Sequence, residues 1–311
     1  MKVLITGGLG FIGTYAANRL LSLGHEAVTF DTLAGSSPEV AELLKGTEHF
    51  RGDLLNPMSL FEAVKKHKVD SIMHLAALRN LDSQRNPYLA FRLNCEGAIN
   101  CYEAARVFGL ERVVFASSSA AVAPKDFYDP LGFEELPDNP PLRPINVYGV
   151  TKAFDEMMGK EYSVVYGLSV VGVRLALIYG PGKKAGSKTS GWNDLIERSI
   201  QGEPMTQSRL SDLQVSINYA KDASEAAVCA VTAKNPPSAT YNCTGHCVTS
   251  TQFCEAIRRV IPKANITLVD DGAKPATHGR FDTRRAKEHL GYSPVYSLEQ
   301  GIEDHVKILS K

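Results

Sequence analysis

Tyr148 and Lys152 stand four residues apart in the stretch NVYGVTK, a spacing that puts both side chains on one face of a helix. A phenol, with an ordinary pKa of about 10, is a poor base at neutral pH. A neighbouring ammonium favours the phenolate. Such a pair can take a proton from a secondary alcohol while hydride leaves its carbon. The same spacing also occurs on ordinary helices, so the interpretation depends on other positions.

Three consecutive serines, Ser117, Ser118 and Ser119, follow the apolar run 112–116, which we predict to be a strand. In an open α/β sheet, ligands bind at the carboxyl ends of the strands. A hydroxyl at this place could hold the substrate oxygen for Tyr148. The alternative is a strand-end turn whose hydroxyls face solvent.

The stretch MKVLITGGLGFIGT contains a short apolar run and then three spaced glycines before a helical pattern begins. In a dinucleotide site the first glycine permits the turn, the second lets the backbone approach phosphate, and the third lets the helix pack on the strand. We therefore predict cofactor contacts from Gly7, Gly10, Phe11, Ile12 and Gly13. The alternative is a glycine-rich turn with no ligand.

An acid at the end of the second predicted strand, Asp31, supports the dinucleotide interpretation. A carboxylate about 20 residues beyond the glycines accepts hydrogen bonds from the ribose hydroxyls and repels a 2′-phosphate. No Lys or Arg directly follows it, so NAD is favoured over NADP. Asp53, in RGDLL, is predicted to reach the adenine amine, although it could instead be a turn or capping residue before Pro57.

Predicted strands and helices alternate regularly over the first 175 residues, and these elements would position the candidate site residues. The pattern predicts strands at 2–6, 27–30, 48–51, 71–75, 112–116 and 168–175, and helices at 11–23, 58–67, 87–108 and 148–166. The strands are apolar almost throughout and the links are short. We therefore predict an α/β fold with a doubly wound parallel Rossmann sheet covered on both faces.

The sequence pattern changes after Tyr179. The stretch GPGKKAGSKTSG shows no hydrophobic periodicity and is typical of a loop. Predicted helices follow at 194–201, 222–232, 249–260 and 298–309, with a strand at 266–269. We expect an NAD-binding Rossmann domain at 1–175 and a smaller C-terminal α/β substrate lobe at 176–311. Part of 210–245 is expected to return to the first domain.

Composition limits the classes of partner. Lys plus Arg and Asp plus Glu each number 34, so the chain has no net positive charge that would attract nucleic acid or an anionic membrane. We find no apolar run long enough for a signal peptide or a membrane span, and expect a cytoplasmic protein. The six cysteines lack zinc-site spacing, so we predict no metal and no disulfide.

These motifs, taken as a set, resemble the extended short-chain dehydrogenase/reductase family, and within it the NAD-dependent epimerase/dehydratase branch. The matching stretches are TGGLGFIG, Asp31, GDL, HLAA at 74–77, Asn94, SSS, YGVTK and RLALIYGPG. The resemblance implies that Ser119 orients the substrate, Tyr148 is the acid/base, and Lys152 favours the phenolate and holds the nicotinamide ribose. It implies further cofactor-binding positions at Leu54, Leu75, Ala76, Ala77, Asn94, Ser117 and Tyr148, and a homodimer formed by helices 87–108 and 148–166.

Departures from the family pattern bear on the substrate. Leu177 stands where the nucleotide-sugar 4-epimerases have Asn, and Val215 and Ser216 replace an Arg and an Asp near the substrate diphosphate. Such a diphosphate needs charged or bidentate partners. The acidic pair of the 4,6-dehydratases is replaced by Ala120 and Ala121.

We therefore predict an NAD-dependent oxidoreductase acting on a secondary alcohol of a sugar-like or hydroxy-acid substrate. Its anion partners could be Lys183, Lys184, Lys188 and Arg209, or these could be solvated surface charges. The competing interpretation is a nucleotide-sugar 4-epimerase, like UDP-glucose 4-epimerase, with transient reduction of NAD. A regulator that only senses NAD is disfavoured, because it has no need of the Tyr148 and Lys152 pair.

Overall fold

The computed structural model describes residues 1–33, 36–183, 191–273 and 277–310. Its strands, in chain order, are β1 (Lys2–Thr6), β2 (Glu26–Asp31), β3 (Glu48–Arg51), β4 (Ser71–His74), β5 (Arg112–Ser118), β6 (Val170–Leu175), β7 (Leu177–Tyr179), β8 (Pro204–Ser208), β9 (Val215–Tyr219), β10 (Thr240–Asn242), β11 (His246–Val248) and β12 (Asn265–Val269).

The central sheet has seven strands in the order β10-β6-β5-β4-β1-β2-β3, and every neighbouring pair is parallel. Strand β1 pairs with β2 on one side and with β4 on the other, so the strand order reverses beside β1. The carboxyl ends of β1 and β4 therefore flank the crevice where open α/β sheets bind ligands. The predicted parallel Rossmann sheet is confirmed.

Helices of the described residues are α1 (Phe11–Ser22), α2 (Pro57–His67), α3 (Asn80–Arg85), α4 (Pro87–Ala90), α5 (Gly97–Phe108), α6 (Lys125–Tyr128), α7 (Val147–Tyr166), α8 (Gly191–Gln201), α9 (Ala220–Thr232), α10 (Ser250–Val260), α11 (Arg284–Leu290) and α12 (Leu298–Leu309). Helices α1 and α9 cover one face of the central sheet, with a core that includes Val3, Ile5 and Val114. Helices α2, α5 and α7 cover the other face, where Leu4, Ile72 and Val113 are buried.

The later part of the chain forms two small sheets and a third core. One sheet has the order β11-β9-β7 and the other pairs β12 with β8. Helices α8, α10 and α12 pack together over a core that includes Tyr179, Trp192 and Phe253. The domain boundary after residue 175 stays a prediction, and strand β10 belongs to the first sheet.

Two sequence-based boundaries were wrong in ways that affect the site. The predicted helix 87–108 is interrupted by a π-helical turn, Phe91–Glu96, between α4 and α5. Strand β5 extends to Ser118, beyond the predicted end at residue 116. Ser117 and Ser118 therefore belong to the strand, and Ser119 begins the turn that follows it.

No helix in residues 1–33, 36–183, 191–273 and 277–310 is long and apolar enough to span a bilayer. No group of three or more His, Cys, Asp or Glu side chains in those ranges could hold a metal ion. All six cysteines are free thiols, and Cys243 and Cys254 are fully buried in the cores.

Candidate active site

A deep cleft of about 1490 Å³ lies at the carboxyl ends of the central strands. A cavity of this size exceeds the range of roughly 300–1,000 Å³ of a typical small-ligand site, and has room for a dinucleotide and a second molecule. Its wall contains nearly all of the predicted site residues: Gly7, Gly10, Phe11, Ile12, Gly13, Asp31, Asp53, Leu54, Leu75, Ala76, Ala77, Ser117, Ser119, Tyr148 and Lys152.

The glycine turn after β1 forms one wall of the cleft. Gly7 has a φ of +68°, and a Cβ there would lie 2.8 Å from the backbone of Ala76, so only glycine fits between the ends of β1 and β4. Among the described residues, no side chain caps the N-terminus of α1 at Gly10. The first amides of α1 are therefore open to an anionic group in the cleft, and this end of the cleft fits the pyrophosphate of a dinucleotide.

Asp31, at the end of β2, is held by two backbone amides. Its Oδ2 accepts a hydrogen bond from Leu9 N at 3.2 Å, and its Oδ1 accepts one from Leu33 N at 3.1 Å. Each carboxylate oxygen keeps a second acceptor position. Asp53 is oriented similarly, because its Oδ1 accepts from Leu55 N at 2.9 Å. Both carboxylates are thus held in fixed orientations in the cleft wall.

We expect Asp31→Ala to weaken NAD binding by roughly 10- to 100-fold, which is the loss of one or two charge-assisted hydrogen bonds. NADP binding should fall much less, since the same substitution removes the repulsion of its 2′-phosphate. Isothermal titration with both cofactors measures the ratio. Asp53→Ala is the matched control, because Asp53 is predicted to contact the adenine and should not change the NAD to NADP ratio. An equal loss of affinity for both cofactors in Asp31→Ala would contradict the assignment.

The three serines after β5 differ in what their hydroxyls contact. Ser117 Oγ donates to Glu156 Oε1 at 2.5 Å, and Ser118 Oγ accepts from Ala120 N at 3.2 Å. Ser119 lines the cleft, and its hydroxyl makes no hydrogen bond with another described residue. Ser119 is therefore the one of the three serines whose hydroxyl has no hydrogen-bond partner among the described residues.

Helix α7 brings Tyr148 and Lys152 to the same cleft. Asn146 caps the helix by accepting from Gly149 N at 2.8 Å. Gly149 packs against the carbonyl of Ala120 so closely that any side chain there would clash. This contact brings the start of α7, and with it Tyr148, against the turn that carries Ser119. The Lys152 ammonium lies over the Tyr148 ring, 5.9 Å from its centre.

A buried ion pair holds these elements together behind the cleft. Arg174 of β6 donates to both oxygens of Glu156 on α7, at 2.8 and 2.6 Å. The same guanidinium donates to Asn242 Oδ1 of β10 at 3.1 Å. Since Ser117 of β5 also bonds to Glu156, the pair links three strands to the helix that carries Tyr148.

The matching family model is the one described as the NAD dependent epimerase/dehydratase family, and it covers residues 3–244. The chain belongs to this family. The resemblance noted in the sequence is confirmed, and NAD is the cofactor of the family, in agreement with the glycine turn and Asp31.

Relatives and solved structures extend the similarity over the whole chain. An uncharacterized UDP-glucose epimerase of Bacillus subtilis (strain 168) is 26% identical over 322 residues, which cover 100% of this chain and 98% of that protein. The UDP-glucose 4-epimerase of Thermus thermophilus, in complex with NAD, is 27% identical with a TM-score of 0.82, over 100% and 99% of the two chains. A GalE-like L-threonine dehydrogenase from Cupriavidus necator is 25% identical with a TM-score of 0.84, over 99% and 100%. One fold in this family therefore serves different reactions.

The predicted departures from the family's 4-epimerases all lie in the cleft wall. Leu177 of β7 and Val215 of β9 line it with apolar side chains. Ser216 also lines it, but its hydroxyl donates to Gly279 O at 2.6 Å. These three positions therefore place no charge in the cleft.

Asn94, predicted as a cofactor contact, lies behind the cleft and is fully buried. Its side chain bonds to both backbone groups of Leu78 and, at 2.9 Å, to Thr151 Oγ1. It thereby ties the loop after β4 to α7. Its place in the structure is that of a supporting residue for the cleft wall.

Several cleft residues were missed by the sequence-based reasoning. Arg79 follows HLAA at the end of β4, so the strand-end argument used for the serines could have found it. His278 and Phe281 come from an irregular segment near the C-terminus and carried no periodic signal.

Of the cations considered as anion partners, Lys183 lines the cleft and is buried. Burial, with a smaller effect of nearby Arg79, lowers the pKa of Lys183 to about 7. Arg209 is paired with Asp212 at 3.7 Å and is outside the cleft wall. Lys184 and Lys188 lie outside the described residues.

Proposed function

We propose that this chain is an NAD-dependent oxidoreductase that transfers hydride between NAD and a secondary alcohol of a sugar-like or hydroxy-acid substrate. The observation that carries the proposal is the common cleft, where Ser119 and Tyr148 stand beside the glycine turn and Asp31. When bound, NAD supplies the hydride acceptor or donor. The remaining steps belong to side chains of the protein.

In the proposed reaction Ser119 holds the substrate oxygen by a hydrogen bond, and Tyr148 removes or returns the hydroxyl proton. Lys152 supports the phenolate electrostatically, because its ammonium lies over the Tyr148 ring. Glu156 and Arg174 keep β5 and α7 at a fixed separation, so the two hydroxyls meet the same substrate oxygen. This alignment contributes to rate through orientation.

A compact substrate is supported by the chemistry of the cleft wall. Leu177 and Val215 offer no partner for a diphosphate. Arg79 and Lys183 both lie in that wall, and the charge of Arg79 adds to the effect of burial in lowering the pKa of Lys183, against an opposing effect of Asp194. One carboxylate on the substrate would favour the charged form of Lys183 and pair with Arg79, which favours a hydroxy acid or sugar acid over a neutral sugar.

A second candidate function is a nucleotide-sugar 4-epimerase. It is supported by the similarity to the Thermus thermophilus UDP-glucose 4-epimerase over the whole chain. In that case Arg79 and Lys183 would bind the substrate diphosphate, and the hydride would return to the opposite face of the same carbon.

Incubation with NAD⁺ and a panel of aldonates, uronates, hydroxy acids, free sugars and nucleotide sugars separates the two functions. The proposal expects net NADH, seen by absorbance, with carboxylate-bearing substrates and not with nucleotide sugars. Arg79→Gln should raise KM for the carboxylate and leave NAD affinity unchanged. Conversion of a nucleotide sugar to its epimer without net NADH would establish the second candidate, and no turnover of either class would refute both.

We also propose that the chain forms a homodimer through α5 and α7. Val150, Met157 and Val164 are exposed at seven-residue intervals on α7, so they form one apolar stripe. On α5, Val107 is likewise an exposed apolar residue. A row of large exposed apolar side chains on one helix face supports such an interface.

Met157→Glu and Val164→Glu together should convert a dimer of twice 33.8 kDa into a monomer, because two charges would be buried against apolar partners. Light scattering after size exclusion gives the mass. Val295→Glu, at an apolar residue that is 73% exposed outside the stripe, is the matched control and should remain dimeric. A monomeric wild-type chain would refute this interface.

A further inference from the structure

A buried carboxylate lies directly behind the proposed acid/base pair. Asp155 follows Lys152 by three residues on α7, and its side chain is 0% exposed while that of Lys152 is 2% exposed. Asp155 Oδ2 accepts a hydrogen bond from Lys152 Nζ at 3.0 Å. The ammonium that lies over the Tyr148 ring is therefore also bound to an anion.

Among the described residues, Lys152 is the hydrogen-bond partner of the Asp155 carboxylate. The other carboxylate oxygen, Oδ1, is buried and makes no hydrogen bond with any described residue. The structural link from residue 155 to α5 uses its backbone, because Tyr102 OH donates to Asp155 O at 3.1 Å. A half-satisfied buried carboxylate is costly unless it is paired, and the partner here is Lys152.

Other groups facing the pair are uncharged at neutral pH. Burial lowers the pKa of His74, on β4, to about 3 and raises the pKa of Cys95, in the π-helical turn, to about 12. Burial also raises the pKa values of Cys101 and Tyr102, on α5, well above neutral.

Charged residues elsewhere on the surrounding elements are already paired or exposed. Glu156, next to Asp155, is bound to Arg174 of β6. The remaining charged side chains on α3, the π-helical turn and α5 are exposed, or paired near the surface: Asp82, Arg85, Arg92, Glu96, Glu103 and Arg106. Among the described residues, Asp155 is thus the anion that balances Lys152.

We propose that Asp155 is a positioning residue, which holds the Lys152 ammonium over the Tyr148 ring and partly cancels its charge, so that it opposes ionisation of the Tyr148 phenol. The inference rests on the proposed function of Tyr148 as the acid/base. Burial raises the pKa of Asp155 to about 6, against the opposing effect of Lys152, so the carboxylate is charged at neutral pH. Burial disfavours the charged form of Lys152, but Asp155 and Tyr148 outweigh that effect and raise the pKa of Lys152.

The expected size of the effect follows from Coulomb's law. Removal of one unit charge near a titrating group, in an effective dielectric of about 20, changes the titration midpoint by on the order of one pH unit. The negative charge of Asp155 would thereby oppose formation of the phenolate. Such a site favours protonation of the substrate oxygen during carbonyl reduction at neutral pH, and alcohol oxidation at alkaline pH.

Asp155→Asn tests the proposal, since it keeps the shape and an acceptor for Lys152 and removes the charge. We expect the midpoint of the Tyr148 phenol titration to fall by about one pH unit, measured by NMR with ring-labelled tyrosine and assigned with Tyr148→Phe. The limb of the kcat/KM profile for oxidation on which activity rises with pH should move to lower pH by the same amount, because the base must be deprotonated. Asp155→Glu is the matched control that keeps the charge, and its midpoint should stay near the wild-type value. An unchanged midpoint in Asp155→Asn would overturn the proposal.

The NMR titration needs no substrate, so it separates this inference from the proposed function. If no substrate is turned over, the function fails while the midpoint still reports on Asp155. Should Asp155→Asn not fold, Asp155→Ser gives a second neutral variant. A further measurement uses the wild-type chain and needs no variant: the titration of the labelled Asp155 carboxyl carbon, followed by NMR. A midpoint near 6 supports the proposal, and a carboxyl that is still protonated at neutral pH would refute it.

Discussion

Tyr148→Phe is expected to lower kcat for alcohol oxidation by roughly 10²–10⁴-fold, the usual contribution of a positioned acid/base. The substitution removes one hydroxyl, which makes no hydrogen bond with any described residue, so the fold should be unaffected. The aromatic ring over which Lys152 lies is retained. Steady-state kinetics with the substrate found in the panel measures the loss, and calorimetry should give an NAD affinity within about threefold of wild type.

Tyr166→Phe serves as the control for this substitution. Tyr166 lies at the C-terminal end of the same helix and is exposed. Removal of its hydroxyl should leave both kcat and NAD affinity unchanged. Full activity in Tyr148→Phe would exclude Tyr148 as the acid/base, and loss of NAD binding in the same variant would assign it a binding role instead.

Glu156→Gln is expected to destabilise the fold by about 3–5 kcal/mol, the usual cost of removing one partner of a buried ion pair. Both side chains of the pair are buried, and Arg174 would keep its charge with only Asn242 and the carbonyl of Asp138 as partners. For a chain of this length that loss corresponds to a fall in Tm of roughly 5–8 °C. Denaturant and thermal unfolding, followed by circular dichroism, measure both quantities.

Two further variants identify the source of this effect. The double substitution Glu156→Leu with Arg174→Met removes both charges and should recover much of the lost stability. Glu299→Gln breaks the exposed pair between Arg259 and Glu299, whose atoms are 2.6 Å apart, and should cost less than about 1 kcal/mol. Equal effects of Glu156→Gln and Glu299→Gln would mean that burial does not determine the strength of the Glu156 pair.

Local sequence was sufficient to predict the central sheet and the glycine turn that forms one wall of the cleft. Continuous apolar runs predict buried parallel strands because both faces of such a sheet are covered. The spacing of Gly7, Gly10 and Gly13 predicts the turn because a helix must start close to the strand. These features depend on residues near one another in the chain, so periodicity and turn chemistry determine them.

Boundaries that depend on distant contacts were less predictable. The end of β5 lies at Ser118 because that strand pairs through Ser118 with Leu175 of β6, more than 50 residues away. The π-helical turn at Phe91–Glu96 lies where Asn94 bonds to the loop after β4 and to α7. Neither contact leaves a periodic signal in the local sequence.

The sequence by itself determined the fold family, the glycine turn, Asp31 and the candidates Ser119, Tyr148 and Lys152, since each belongs to a short motif with its own chemistry. Only the tertiary structure decided which of the three serines has a free hydroxyl, because Glu156 binds Ser117 and the turn binds Ser118. It also brought Arg79 and Lys183 into one cleft wall and paired Asp155 with Lys152. Hydrogen-bond partners and burial depend on how helices and strands far apart in the chain pack together, and no single segment contains that information.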